Sequence, residues 1–467
     1  MEYEEKIEKI KNIVSNPIKK FKPEELRGII ERYEKKHAKS KQAFERARKI
    51  IPGGVEHNLA FNFPFPLESK RVYDCYMETI DDVVLTDFLM DGGPIILGHN
   101  HPELTEKIIE LIQTIGPCHG ITNEYEYLAA EQLQKHFPSC ENIRWLQSGT
   151  EADMLAIRVA RVATGRKWIV KIGGSYHGWS DQLVYDMHVP GTKRLESHGI
   201  PKPVLQYTES VPPNDIEALR EFFKEKRRKV AAVIIEPMGG ESGAIPVRPG
   251  FNKEVEEVCH ENGALLISDE VVCAFRLHMG GGQAYYGYEP DLSVFGKIVG
   301  HGYPSAAALG GKEEIMKYIA AGVSGGKRAY CGGTLAANPL TCAAAYNAIK
   351  LVEKYNATEI ATKAATRLSN GLNEVFEKHG LPWFSYNLGG TVHFHTSCVF
   401  GLDLGDPKQA GEIPIRKEFM EHMGAALVDQ EIISVAGSRF YTCIKHTDEI
   451  IDETIKKIDN ICEKVEK

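Results

Sequence analysis

One lysine of this chain sits where lysines are seldom found. The segment Asp291-Leu-Ser-Val-Phe-Gly296-Lys297-Ile298-Val299-Gly300 places Lys297 in an apolar run, between glycines and with no acid beside it in sequence. Removing an amine from water favours its neutral form, which suits it to form a Schiff base with a carbonyl and later to move protons as a general base. Gly296 and Gly300 would let backbone and ligand approach closely. A second apolar run, Ala264-Leu-Leu-Ile-Ser-Asp269-Glu270-Val271, ends in two acids. A carboxylate at a buried strand end must be paired, and a protonated pyridine-type nitrogen is a partner that keeps Asp269 ionised while making the ring a better electron sink. The structural alternative is an acid that caps the next helix or pairs with Arg276. For Glu270 the two readings stand level.

Three further segments carry small polar residues at turns. Ser148-Gly149-Thr150-Glu151-Ala152 follows the apolar Ile143-Arg-Trp-Leu146 and opens a helical pattern through Met154, Leu155, Ile157 and Ala160. Free N–H groups at a helix start, with hydroxyls from Ser148 and Thr150, make a phosphate cradle. The same residues would also serve as an ordinary N-cap. Gly174-Ser175-Tyr176-His177-Gly178 offers an aromatic face beside a titratable ring, or a core aromatic, and Gly332-Gly333-Thr334 is another turn suited to phosphate.

The elements that must position these residues follow from periodicity. Residues 1–50 carry dense charge around apolar positions at helical spacing and stop at Ile50-Ile51-Pro52-Gly53-Gly54, so a helical N-terminal arm is expected. From about 85 to 345, short apolar runs such as Val170–Ile172, Ala231–Ile235, Ala264–Ile267 and Leu292–Phe295 alternate with amphipathic stretches. That alternation predicts an α/β fold with a mostly parallel central sheet. The expected division is an arm and part of a small domain over 1–84, a large domain over 85–345, and the rest of a smaller α+β domain over 346–467.

At 467 residues the chain exceeds what a single core supports, and its 43% hydrophobic and 26% charged residues are those of an ordinary globular protein. A net charge of −8 argues against a nucleic-acid surface. The ten cysteines lie scattered, without metal-ligand spacing, and read as reduced thiols of a cytoplasmic protein that holds no metal. No run of about 18 apolar residues is present, so no membrane span is expected. A nucleotide-binding oxidoreductase is disfavoured because Gly280-Gly281-Gly282 leads into Gln283-Ala284-Tyr285 and not a Gly-x-Gly-x-x-Gly turn.

Taken in order, Ser-Gly-Thr-Glu-Ala, Tyr-His-Gly, Ile-Glu-Pro, Asp-Glu-Val, Gly-Lys and Gly-Gly-Thr resemble the class III pyridoxal-phosphate aminotransferases. Within them the chain is most similar to the group that holds glutamate-1-semialdehyde aminomutase and β-amino-acid aminotransferases, over about Ile51 to Ala345. The resemblance implies a fold type I enzyme with pyridoxal 5′-phosphate as cofactor. It implies that Ser148, Gly149 and Thr150 hold the phosphate, that Tyr176 stacks on the ring with His177 beside it, and that Val271 packs the other face. Asp269 would pair with the pyridine nitrogen, Lys297 would form the Schiff base, and Glu236 and Glu241 would lie near the ring's oxygen side. Thr334 would reach the phosphate of a neighbouring subunit, which makes the expected unit a homodimer with shared active sites. A non-catalytic cofactor-binding protein would not need Asp269 and Lys297 together.

Two departures bear on the reaction. After Pro52-Gly53-Gly54-Val55 the aminomutase supplies an arginine, whereas this chain reads Glu56-His57-Asn58-Leu59-Ala60. Near the C-terminus the aminomutase has Ser-x-Phe-Glu, whereas this chain has Ser438-Arg439-Phe440-Tyr441. Missing anchors favour release of an intermediate, so transfer of an amino group between an amino acid and a keto acid is expected, with aminomutase or racemase/epimerase chemistry as the alternative. His57 and Arg439 are the candidate carboxylate contacts, although a surface role fits Arg439 equally.

Overall fold

The computed structural model describes residues 1–60, 62–322 and 326–466. Contacts divide the chain into two compact units, Pro102–Tyr355 and Met1–His101 with Asn356–Lys467. These boundaries differ from 84/85 and 345/346 for local reasons. The strand Val84–Asp87 pairs within the small sheet of the first segment, and the helix Pro339–Lys354 runs straight through position 345.

In the unit Pro102–Tyr355, seven strands form one sheet: β4 (Asn142–Leu146), β5 (Trp168–Ile172), β6 (Thr208–Val211), β7 (Val230–Ile235), β8 (Leu265–Asp269), β9 (Leu292–Phe295) and β10 (Ala307–Gly311). Their order is β4-β10-β9-β8-β7-β5-β6. Only β10 runs against its neighbours, so the sheet is mostly parallel as expected. Parallel strands covered by helices on both faces need apolar side chains in both directions, which is why β7 reads Val-Ala-Ala-Val-Ile-Ile and is buried throughout. Strand alternation sends Ile169, Ala232 and Ile234 to one face, where they meet Ala152, Leu155, Ala156 and Val159 of the helix Gly149–Thr164. It sends Val170, Val233 and Ile235 to the other, against Phe222, Phe251 and Val255. Each buried valine, leucine, isoleucine or phenylalanine among these contributes roughly 1.5–3 kcal/mol.

The other unit is α+β. The expected N-terminal arm is three helices, Tyr3–Ser15, Pro23–Lys36 and Ala38–Ala47. Pro17 forces Asn16 into extended backbone and ends the first, while Pro23 supplies the first position of the second. Arg416, fully buried, gives its guanidinium to Asn16 O at 3.1 Å, at the end of the first helix, and to Ser397 O at 2.7 Å, after the strand Thr391–His395. The unit also holds the helices Ala357–His379, Ile413–Asp429 and Asp448–Cys462 and two small sheets. One has the order β1-β2-β3-β13 (Ser69–Tyr73, Tyr76–Thr79, Val84–Asp87, Ile432–Ile433), and the other is β11-β12-β14 (Phe384–Leu388, Thr391–His395, Arg439–Tyr441). Among the described residues no helix is long and apolar enough to cross a membrane.

His395 of β12 is buried and stacks on Phe384 at 4.8 Å and Tyr386 at 5.3 Å. Burial, with the positive charges of Arg439 and Lys6, pushes its imidazole down to about 3. An unfolded histidine titrates near ~6.5. As pH falls between these values the unfolded chain takes a proton that the folded chain refuses, so stability declines by up to about 1.4 kcal/mol per pH unit from this group. Urea midpoints followed by circular dichroism between pH 7.5 and 5 are therefore expected to fall less steeply in His395→Phe than in the parent. Parallel declines would show that His395 carries no such linkage.

Candidate active site

The C-terminal ends of the parallel strands converge on one group of residues, as ligand sites in open α/β sheets do. β4 leads through Gln147 into the helix Gly149–Thr164, whose N-cap Ser148 accepts a hydrogen bond from Glu151 N at 3.3 Å. β5 leads into Gly173–Gly178, β7 into Glu236–Gly243, β8 ends at Asp269, and β9 runs through Gly296 to Lys297. Close packing joins three of these ends. A Cβ at Gly149 would lie 3.1 Å from Val271, and one at Gly296 would lie 3.3 Å from the same side chain. A Cβ at Gly178 would run into Thr150.

Each carboxylate at these ends is met by donors. Asp269 Oδ2 lies 2.7 Å from His177 Nδ1, and its Oδ1 accepts Val271 N–H at 3.1 Å. Glu236 accepts three backbone N–H bonds, from Tyr176 at 2.7 Å, Glu241 at 3.0 Å and Ser242 at 2.9 Å. Burial and the negative charges of Glu241 and Asp269 push the Glu236 carboxyl up to about 8, against the pull of those donors. Glu241 pairs with His188, which stacks beside Tyr176 at 6.4 Å. Glu270, left open by sequence, turns away from Asp269. It accepts Gly282 N–H at 2.7 Å and Gln283 N–H at 3.0 Å, fixing the start of the short helix Gly281–Tyr286.

Tyr176 is 45% exposed and is therefore a surface of the site and not a core aromatic. The fully buried lysine is Lys171, not Lys297. Lys171 Nζ donates to the carbonyls of Ser175 at 2.8 Å, Leu183 at 3.3 Å and Tyr185 at 2.7 Å, and burial lowers it to about 8. Its amine is thus committed to shaping the segment after β5. Lys297 is half-buried at a positive φ of 50°, just past the end of β9. Thr334 is exposed, in a turn tethered by Leu335 N to Gln147 Oε1 at 3.3 Å.

His57 and Arg439 lie in the other unit. His57 is exposed, and Arg439 is half-buried with Nη1 3.4 Å from the Tyr441 hydroxyl. Tyr441, at the position where the resemblance leads one to expect an acid, is buried against Gly93. Sequence reasoning missed the His188–Glu241 pair and Asp153, an acid on the buried stripe of the helix Gly149–Thr164. The latter had a visible signal, since it interrupts an otherwise apolar face.

A capped helix start, an exposed aromatic, a hydrogen-bonded carboxylate and a half-buried amine thus lie at neighbouring strand ends. Comparison with known proteins identifies the family. Residues 61–382 match the model of class III aminotransferases. The chain is 33% identical to a glutamate-1-semialdehyde 2,1-aminomutase of Methanocaldococcus jannaschii, covering 92% of this chain and 99% of that one. It is similar to an ω-transaminase from Sphaerobacter thermophilus, with 27% identity, coverage of 91% and 97% and a TM-score of 0.82. It is also similar to a transaminase solved with pyridoxal phosphate bound, with 26% identity, coverage of 91% and 97% and a TM-score of 0.80. The chain belongs to the class III aminotransferase family and is a fold type I, pyridoxal-phosphate-dependent enzyme. On the kind of amino movement, the curated relative weighs toward the aminomutase alternative and not toward the intermolecular transfer expected from the two departures.

Glu236→Ala would leave three backbone N–H groups without their acceptor. Bonds to a carboxyl that is largely neutral at pH 7 contribute about 0.5–1.5 kcal/mol each, so the segments around Tyr176 and Glu241 are expected to exchange amide hydrogens faster while the sheet stays protected. Hydrogen-exchange mass spectrometry checks this, and unchanged exchange at Tyr176, Glu241 and Ser242 would count against Glu236 as the organiser.

Proposed function

We propose that the protein moves the amino group of a small amino carboxylate by means of pyridoxal phosphate held at these strand ends. The observation that carries the reading is the placement of Asp269 at the end of β8 and of Lys297 just past the adjacent β9, beside the start of the helix Gly149–Thr164. The cofactor, when bound, supplies a carbonyl that accepts the amino group and a ring that takes up electrons from Cα. Ser148, Gly149 and Thr150 hold its phosphate with helix N–H groups and hydroxyls. Tyr176 and Val271 enclose the ring, His177 orients Asp269, Glu236 and Glu241 border the side of the ring oxygen, and Asp269 keeps the pyridine nitrogen protonated. Lys297 Nζ would hold the cofactor covalently and would serve as the base that carries a proton to and from the substrate Cα.

The reaction best supported by the curated relative is the shift of an amino group within one substrate, as in conversion of glutamate 1-semialdehyde to 5-aminolevulinate. Intermolecular transfer to a keto acid is the second reading. It is favoured by Tyr441 at the expected acid and by the absence of an arginine after Val55, with Arg439 or His57 then meeting a substrate carboxylate. The working form is a cytoplasmic homodimer in which Thr334 contributes to the neighbouring phosphate site. Exposed Trp179, Tyr330 and Ile121 support an interface, and ten free cysteines fit a reducing compartment.

Incubating the holoenzyme with glutamate 1-semialdehyde and no keto acid tests the choice. Stoichiometric 5-aminolevulinate supports the amino shift, whereas turnover only when an amino acid is paired with a keto acid selects the second reading. Under either reaction Asp269→Asn is expected to keep the fold but slow turnover by orders of magnitude. The lost charge interaction is comparable with an oxyanion donor worth ~2.7–4 kcal/mol of barrier, and near-parental rates would refute this role. Sedimentation at micromolar concentration is expected to show a dimer, and an active, cofactor-retaining monomer would remove Thr334 from the site.

A further inference from the structure

Asp153 lies one turn into the helix Gly149–Thr164, on a stripe otherwise made of Ala152, Leu155, Ala156 and Val159. It is 1% exposed. One side-chain atom from each of Asp153, His177 and Asp269 lies within 4.8 Å of the other two, all in the protein interior. Within this cluster the His177 Nδ1–Asp269 Oδ2 bond is made. Two atoms, Asp153 Oδ1 and His177 Nε2, are buried and find no hydrogen-bond partner among the described residues. Buried polar atoms are rarely left unmatched, and each of these atoms has what the other lacks. A neutral carboxylic acid has an O–H to give. An imidazole that donates from Nδ1 has a lone pair at Nε2 to receive it.

Resting on the reading that Asp269 meets the pyridine nitrogen, we propose that Asp153 is a positioning residue whose O–H is given to Nε2 of His177, directly or through one buried water. This contact holds the imidazole in the tautomer that donates Nδ1–H to Asp269. Burial, and then the charges of Asp269 and Glu236, hold the Asp153 carboxyl well above the ordinary carboxylate range. Burial also lowers His177, against the opposing pull of Asp269. Both shifts favour an uncharged Asp153 and an uncharged imidazole, so the negative charge of the cluster resides on Asp269. The chain acid–imidazole–carboxylate then leaves Asp269 with acceptor capacity only, which is the state needed opposite a protonated ring nitrogen. Without Asp153, His177 is free to take the other tautomer and present a lone pair to Asp269, which repels it.

The test uses holoenzyme with 15N-labelled histidine, comparing the parent, Asp153→Asn and Asp153→Leu. The expected result for the parent is a neutral His177 bearing its proton on Nδ1. Asparagine keeps an N–H to donate, so Asp153→Asn is expected to retain that tautomer and stay within a few-fold of parental kcat. Leucine keeps bulk but no donor. Asp153→Leu is expected to show the other tautomer or a mixture, a changed pH dependence of the cofactor's visible absorption, and kcat lower by roughly 10–100-fold, the scale of one charge-linked hydrogen bond, with KM little altered. A doubly protonated His177 in the parent overturns the proposal, even if Asp153→Leu fails to fold. So does an Asp153→Asn protein as impaired as Asp153→Leu, or an unaltered tautomer in Asp153→Leu. If Asp269→Asn runs at parental rate while Asp153→Leu still changes the tautomer, the role of Asp269 falls and the positioning by Asp153 stands.

Discussion

Carboxylates buried at the ends of adjacent parallel strands must be met by donors, and much of the architecture around the site follows from that constraint. Asp269 and Glu270 are consecutive, so strand alternation points them to opposite sides. Asp269 is met by His177 and Val271 N–H, and this draws the segment after β5 onto the end of β8. Glu270 is met by Gly282 and Gln283 N–H and draws in the chain that leads to β9. Glu236, on the neighbouring strand, gathers Tyr176, Glu241 and Ser242 through their backbones. Lys171 does the converse with its three carbonyls. Loops that would otherwise be free are thereby shaped by a few interior charges, each costly to leave unmatched.

Packing supplies the second constraint. Val271 is bordered by Gly149 and Gly296, and these two close approaches bring the start of the helix Gly149–Thr164 to the turn that carries Lys297. An alanine at either glycine would press on Val271, so the helix start and the lysine turn are spaced by one valine. The same economy explains why the chemistry sits at strand ends. The sheet below is mostly apolar on both faces, with Lys171 a buried charged exception, whereas its C-terminal edge presents helix N–H groups and loop side chains.

Much of this was legible in the sequence, for physical reasons. Buried parallel strands write continuous apolar runs, so β7 and β8 were plain, and residues ending such a run in acid or lysine stood out. The turn Ser148-Gly149-Thr150 was readable as a helix start, and Ser148 does cap the helix Gly149–Thr164. What local pattern does not encode is direction. It could not say that Glu270 turns to structure while Asp269 turns to the site, because that depends on which loops arrive from 12 or 92 residues away. Nor could it say that Lys171, hidden in the run Trp168–Ile172, is the more deeply buried lysine, since one lysine among strand residues reads as an outward-facing position. The unit boundaries were displaced because β3 pairs with strands before it, a matter of partners and not of composition.

The reading of the site turns on which amine carries the cofactor. Borohydride reduction of the holoenzyme followed by proteolysis and peptide mapping decides it. The pyridoxyl label is expected on Lys297, in the peptide that joins Phe295 to Val299. Label on Lys171 or on any other lysine would contradict the assignment and with it the arrangement of Asp269, Tyr176 and the Ser148 turn around one ring.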